Sequence, residues 1–262
     1  MAVERMSSAP FSPRRPKRRT SDKLIFISCE GSVTEWEYFE KIINMVFANI
    51  GSKVKIINVL EEALKKSDKK RTLDEKKKVS SSKPQNLLDK MNAYKDEHKD
   101  EFDFDKHKED EFWLIMDVDD HTDSQIIDCN GKSNLDKWNT VLKECKDKGY
   151  RYAVSNPFFE LWLLLHFDDV NEEDHSYAVN ESHPYKPTDH FKERLSELKV
   201  PLKKDKHFSV NSYKKYDKTA INNAIVRAEK LDSVPKCDFP DNLGSTVYRL
   251  LQSIKEINDQ YE

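Results

Sequence analysis

Apolar residues are distributed along the chain in short runs and helix-spaced stripes separated by charged stretches. Leu24-Ile25-Phe26-Ile27-Ser28-Cys29 is too short for a helix and rich in β-formers, which predicts a buried strand ending in a turn at Glu30-Gly31. Thr34 is placed to cap the next element, with Glu35 and Glu37 in its first turn. Tyr38, Phe39, Ile42, Ile43, Val46 and Phe47 then share one face, predicting a helix to about Ala48. Val54 to Leu60 reads as a second strand. Phe112-Trp113-Leu114-Ile115-Met116 is the most apolar strand candidate, and it runs into Asp117-Val118-Asp119-Asp120-His121. A helix is expected from Ser133 to Lys148, stopped by Gly149, then a strand from Tyr150 to Val154. Ser155-Asn156-Pro157 opens a helix that holds Phe158 to Phe167. Further on the pattern is helical, including Ala220 to Leu231 and Ser245 to Ile257. Alternation of this kind predicts an α/β fold, a mainly parallel sheet flanked by helices.

Length and charge refine the picture. The chain has 262 residues, enough for one large domain or a domain with an appended subdomain, and only 37% are hydrophobic against 35% charged. Residues 1–22 read as a basic, disordered arm around Arg14-Arg15-Pro16-Lys17-Arg18-Arg19, 23–168 as the catalytic domain, and 169–262 as a mostly helical C-terminal region packed on it. Lys65 to Lys78 holds eight basic residues against three acidic, and Asp96 to Glu111 nine acidic against three basic. The stretch 61–111 is therefore expected to be a charged, largely solvent-facing insertion with a helix near Leu87, Leu88, Met91 and Tyr94. Residues 1–23 carry seven basic side chains against Glu4 and Asp22, which leaves −8 for the rest of a chain whose total is −3. An acidic body does not suit a non-specific DNA binder, but it suits a carboxylate-rich site where metal ions meet phosphate. Cys29, Cys129, Cys145 and Cys237 show neither disulfide nor zinc spacing, and no apolar run is long enough to span a membrane. The cysteine pattern fits a reducing cytoplasm.

The chemistry is expected where acids end strands. Ligand sites of parallel sheets lie beyond the carboxyl ends of their strands. Glu30 ends the first strand; Asp117 and Asp119 end the third and, two residues apart, share one side while Asp120 points away. Carboxylates converging on one crevice repel one another unless a hard divalent cation joins them, and Mg²⁺ or Mn²⁺ with substrate phosphate is the usual answer. Glu35 is either a further ligand or a first-turn acid favoured by the helix dipole. Glu160 lies among Phe159, Leu161 and Trp162, so its carboxylate either pairs with a cation or reaches the site. His121 is a phosphate contact or a turn residue, His166 a satisfied core histidine. Lys214 and Lys215 are candidates to steady a phosphate in the transition state.

Cys29-Glu30-Gly31-Ser32-Val33-Thr34-Glu35 with Tyr38-Phe39, Asp117-Val118-Asp119-Asp120-His121, and Ser155-Asn156-Pro157-Phe158-Phe159-Glu160-Leu161-Trp162-Leu163-Leu164-Leu165-His166-Phe167 together resemble the RloB family. Tyr213-Lys214-Lys215-Tyr216 and Asn242-Leu243-Gly244-Ser245-Thr246 are similar to further family segments. The resemblance implies a Toprim-like fold with Glu30 as its glutamate and Asp117 and Asp119 as its Asp-x-Asp. It also implies a Mg²⁺-dependent nuclease of DNA or RNA in anti-phage, abortive-infection defence, regulated by an ABC-type ATPase called RloA. Glu30, Asp117, Asp119, Glu160 and Lys214 are the expected catalytic residues; Glu30, Asp117, Asp119, Glu35 and Asp120 the expected metal ligands. Two other readings remain: a non-catalytic adaptor for the ATPase, and a haloacid-dehalogenase-like phosphatase using Asp117 and Asp119.

Overall fold

The computed structural model describes residues 23–31, 33–47, 54–58, 83–118, 125, 127, 131–179, 187–203, 207–232, 238–240 and 242–259. Its centre is a five-stranded sheet in the order β2-β1-β3-β4-β5. β1 (Lys23–Cys29), β2 (Val54–Asn58), β3 (Glu111–Asp117) and β4 (Arg151–Asn156) are parallel; β5 (Gly244–Ser245) is a two-residue antiparallel edge on β4. The α/β class expected from the alternation is borne out.

The helices cover both faces because the strands are apolar on both, as a parallel sheet requires. α1 (Thr34–Glu37) runs into a π-helical stretch (Tyr38–Ile43) and α2 (Asn44–Val46). On that face Ile25, Ile27, Cys29, Trp113, Ile115 and Ala153 meet α5 (Phe159–Leu164), α7 (Pro187–Glu197), α9 (Lys218–Leu231) and α10 (Val247–Asp259) in one core. On the other, Leu24, Phe26, Phe112, Leu114, Met116 and Val154 pack against α3 (Pro84–Phe102) and α4 (Asn134–Asp147). α6 (Glu172–Val179) and α8 (Val210–Tyr213) complete the described helices.

Several boundaries differ from the sequence reading. Thr34 lies inside α1; Val33 occupies the cap position and no side chain caps that end. The helix opened by Ser155-Asn156-Pro157 is shorter, because β4 continues through Asn156 before a cis peptide to Pro157 and α5 covers only Phe159–Leu164. The larger correction concerns 84–111. Leu87, Leu88, Met91 and Tyr94 are buried under the sheet, so α3 is the crossover from β2 to β3 rather than a solvent-facing insertion. Glu111, the last acid of that block, is buried and takes up Lys23 Nζ at 2.6 Å, Trp113 Nε1 at 2.7 Å, Ser253 Oγ at 2.9 Å and Arg151 Nη1 at 3.1 Å. Burial pushes its carboxyl up, but Lys23 and Trp113 outweigh that and leave it below the usual range. Residues 61–82 and the basic arm lie outside the described residues. α4 behaves as expected: Ser133 and Asp136 form a capping box, and Gly149 follows with φ +70°.

Candidate functional site

Strand order alone marks a position. The chain leaves β1 for β2 on one side and returns to β3 on the other, so the crevice beyond the carboxyl ends of β1 and β3 is the switch point of the sheet. Glu30 and Asp117 stand there. The Glu30 N–H continues the ladder to Ile115 O at 3.0 Å, and its Oε2 accepts the Asp117 N–H at 3.1 Å. The two strand ends expected to supply acids thus meet. Alternation along β3 puts Asp117 on the face of Trp113 and Ile115, the face that α1 and α5 cover.

Those two helices bring two more carboxyls. Glu35 is 6% exposed in the first turn of α1 and accepts the Gly31 N–H at 3.0 Å. The fit is close: a Cβ on Gly31 would lie 1.9 Å from Glu35 Oε2. Burial pushes the Glu35 carboxyl up to about 7; the charges of Glu160 and Glu30 add to this, while its own N–H and that of Gly31 oppose it. Glu160 lies in the first turn of α5 and is buried, with Lys192 Nζ of α7 at 3.5 Å from its Oε1. Glu160 thus pairs with a cation, and its charge also acts on Glu35. Cys29 lies beside this group, its thiol raised well above the usual range by burial and by the charges of Glu35 and Asp117, which removes it as a nucleophile.

Glu30, Asp117, Glu35 and Glu160 are thus gathered from four elements. Asp119, Asp120 and His121 lie outside the described residues. Among the described residues no three acids, histidines or cysteines are drawn in closely enough to share one ion. Lys214 is exposed at the end of α8, and no hydrogen bond or ion pair joins it to the four acids; Lys215 Nζ donates to Lys199 O at 2.9 Å. Lys192 was not found in the sequence, where nothing distinguishes it from its neighbours on a charged helix.

His166 is the core residue it was expected to be. Its Nδ1–H donates to Trp162 O at 2.9 Å, so Nε2 accepts from Tyr38 Oη at 3.0 Å. Burial lowers its pKa to about 3, so it is neutral. Asn156 is likewise structural, its Nδ2 donating to Pro240 O at 2.9 Å. Cys29 and Cys145 are free and buried. No described helix is long and apolar enough to cross a membrane.

Neither a curated protein nor a solved structure matches the chain. The RloB-like protein family does, over residues 25–254, a span that contains every described strand bar the first residues of β1 and all four gathered acids. The chain belongs to the RloB-like family.

Proposed function

We propose that the chain is a divalent-metal-dependent nuclease with a Toprim-like centre at the ends of β1 and β3. The observation that carries the reading is the Glu30 carboxylate bound to the Asp117 N–H at the switch point of the sheet. The donor set suits a hard cation because it is all carboxylate oxygen; Glu35 is pushed up to about 7 mainly by burial, with the charges of Glu160 and Glu30 adding to it. Glu30 and Asp117 would hold Mg²⁺ or Mn²⁺ together with Asp119 and Asp120, with the Glu35 carboxyl beside them. Such a cation supplies an activated water and offsets charge on the departing oxygen of a phosphodiester.

The chain's own residues divide the remaining work. Glu30 Oε2 is fixed by the Asp117 N–H, which positions this carboxylate to ligate a metal or accept a proton. Glu35, with a pKa of about 7, exchanges a proton at neutral pH. Leu161, Trp162, Leu163 and Leu164 of α5 close the face beneath and keep water from that side. The phosphatase reading leaves Glu30 without a role; here it is joined to Asp117 directly.

Action on DNA or RNA, a place in anti-phage defence and control by an ABC-type ATPase follow from the family resemblance and belong to the same proposal. The test is cleavage of labelled DNA and RNA by wild type and Glu30→Gln, each with and without the ATPase. Gln keeps the shape but removes the charge, and loss of a positioned base lowers the rate by about 10²–10⁴-fold. Near-normal cleavage by a folded Glu30→Gln protein would falsify the assignment. Undiminished toxicity in cells with no cleavage by wild type would instead favour the adaptor.

A further inference from the structure

α7 is fastened firmly to the core and to its neighbours. Phe191 and Leu195 are fully buried, His190 Nε2 lies 2.7 Å from the buried Asp174 Oδ1, and Arg194 is committed to both Asp168 and Asp174. Lys192 therefore projects from a rigid helix. Its ammonium is 3.5 Å from Glu160 Oε1, while its side chain is 31% exposed against 10% for the glutamate. Elsewhere the buried acids hold their cations tighter, as Lys23 on Glu111 at 2.6 Å and Arg249 on Asp232 at 2.7 Å. Charge-assisted bonds of full strength are about 2.7–2.9 Å long. Lys192 thus sits beside Glu160 in a longer pair than those, with its own side chain part-exposed.

Four carboxyls at one end of the sheet repel a polyanion, and the part-exposed Lys192 ammonium beside Glu160 offers a phosphate an opposite charge. We propose that Lys192 is the residue through which this site receives a backbone phosphate of a nucleic acid. The proposal rests on the reading of the acids as a metal-dependent phosphodiesterase centre, and it gives Lys192 two opposed effects. Its charge weakens cation binding by the acids and strengthens binding of the substrate phosphate. A lysine that merely pins α7 to α5 would share the first effect through its charge on Glu160, so the second separates the two roles.

The experiment uses the full chain as wild type, Lys192→Gln, Lys192→Arg and Lys214→Gln at pH 8. Mn²⁺ binding is followed by electron paramagnetic resonance, and binding of short fluorescent DNA and RNA strands is followed over a range of salt. In Lys192→Gln, Mn²⁺ should bind more tightly, by up to roughly tenfold. The strands should bind more weakly, with the salt slope reduced by about 0.7, the share of one phosphate contact on a single strand. Lys192→Arg should restore both. Unchanged strand binding in Lys192→Gln, whatever its Mn²⁺ affinity, or a loss of strand binding in Lys214→Gln alone, overturns the proposal. A wild type that binds no Mn²⁺ removes the metal-centre reading itself, and the proposal with it.

Discussion

Glu35 and Glu37 are two residues apart on α1, both nearly inaccessible, and their surroundings are opposite. Successive helix positions turn by about 100°, so the two carboxyls leave the helix on different sides. Glu37 meets the segment 207–213: it accepts the Phe208 N–H at 2.9 Å, pairs with Lys41, and has His207 Nδ1 at 2.8 Å. Lys41 also donates to Tyr213 Oη at 3.2 Å. Burial alone raises such a carboxyl, yet Lys41, Phe208, His207 and Tyr213 together hold it at about 2. Glu35 has two backbone donors, and its charged neighbours are other acids, so it is pushed to about 7. Where a buried acid serves the fold, the chain supplies its own cations. At the switch point the charges around Glu35 are those of other acids, which is the contrast the proposed metal centre would explain. Pairs of carboxyls driven apart in this way are a general mark of divided roles.

The largest effect is expected on the Glu37 side. Glu37→Ala leaves the buried Phe208 N–H without an acceptor and releases Lys41 and His207, so stability should fall by about 2–4 kcal/mol. The Glu37 pKa is lower in the fold than its ordinary 4.5, so the stabilisation is complete above pH 4.5 and disappears as pH falls towards 2. Urea unfolding of wild type and variant across this window reads it. A loss below about 0.5 kcal/mol at neutral pH would make Glu37 an ordinary surface acid.

A smaller effect of opposite sign is expected at Glu35. Its pKa is higher in the fold than the ordinary 4.5, so the folded protein retains a proton that the unfolded chain releases. In chelator, stability should therefore fall as pH rises from 4.5 through 7. Glu35→Gln keeps an acceptor for the Gly31 N–H without the charge, and should gain about 1–3 kcal/mol above pH 7 and nothing below pH 4.5. The same unfolding experiment at pH 8 and pH 4.5 decides it. An equal change at both pH values would mean that packing against Gly31, not charge, sets the behaviour of Glu35.

Much of this arrangement is legible in the sequence because it is local. Apolar runs placed β1, β3 and β4, and turn residues after them placed Glu30 and Asp117 at their carboxyl ends. Ser133 and Gly149 bounded α4 because capping depends on a few neighbouring residues. The helix α3 is legible from Leu87, Leu88, Met91 and Tyr94, but its burial is not, because that stripe is diluted by charge on the solvent side. The partners of Glu111, at Lys23, Arg151 and Ser253, are distant in sequence, so the acid looked like part of a solvated block. Lys192 and Glu160 are brought together by the packing of α7 on α5, and no spacing rule announces such a pair. The π-helical stretch after α1 and the two-residue β5 leave no period to read.

The central claim, that the acids at the ends of β1 and β3 hold a divalent cation, is tested most directly by thermal unfolding in chelator and in Mg²⁺ or Mn²⁺. Wild type should be compared with the Asp117→Asn/Asp119→Asn double variant, with circular dichroism to establish that both are folded. A ligand at a hundred times its Kd stabilises the native state by about 2.7 kcal/mol. For a chain of this size that is a rise of about 5–10 °C in Tm, reversed by EDTA. The double variant should show little or none of it. No rise in wild type, or an equal rise in the variant, would contradict the claim.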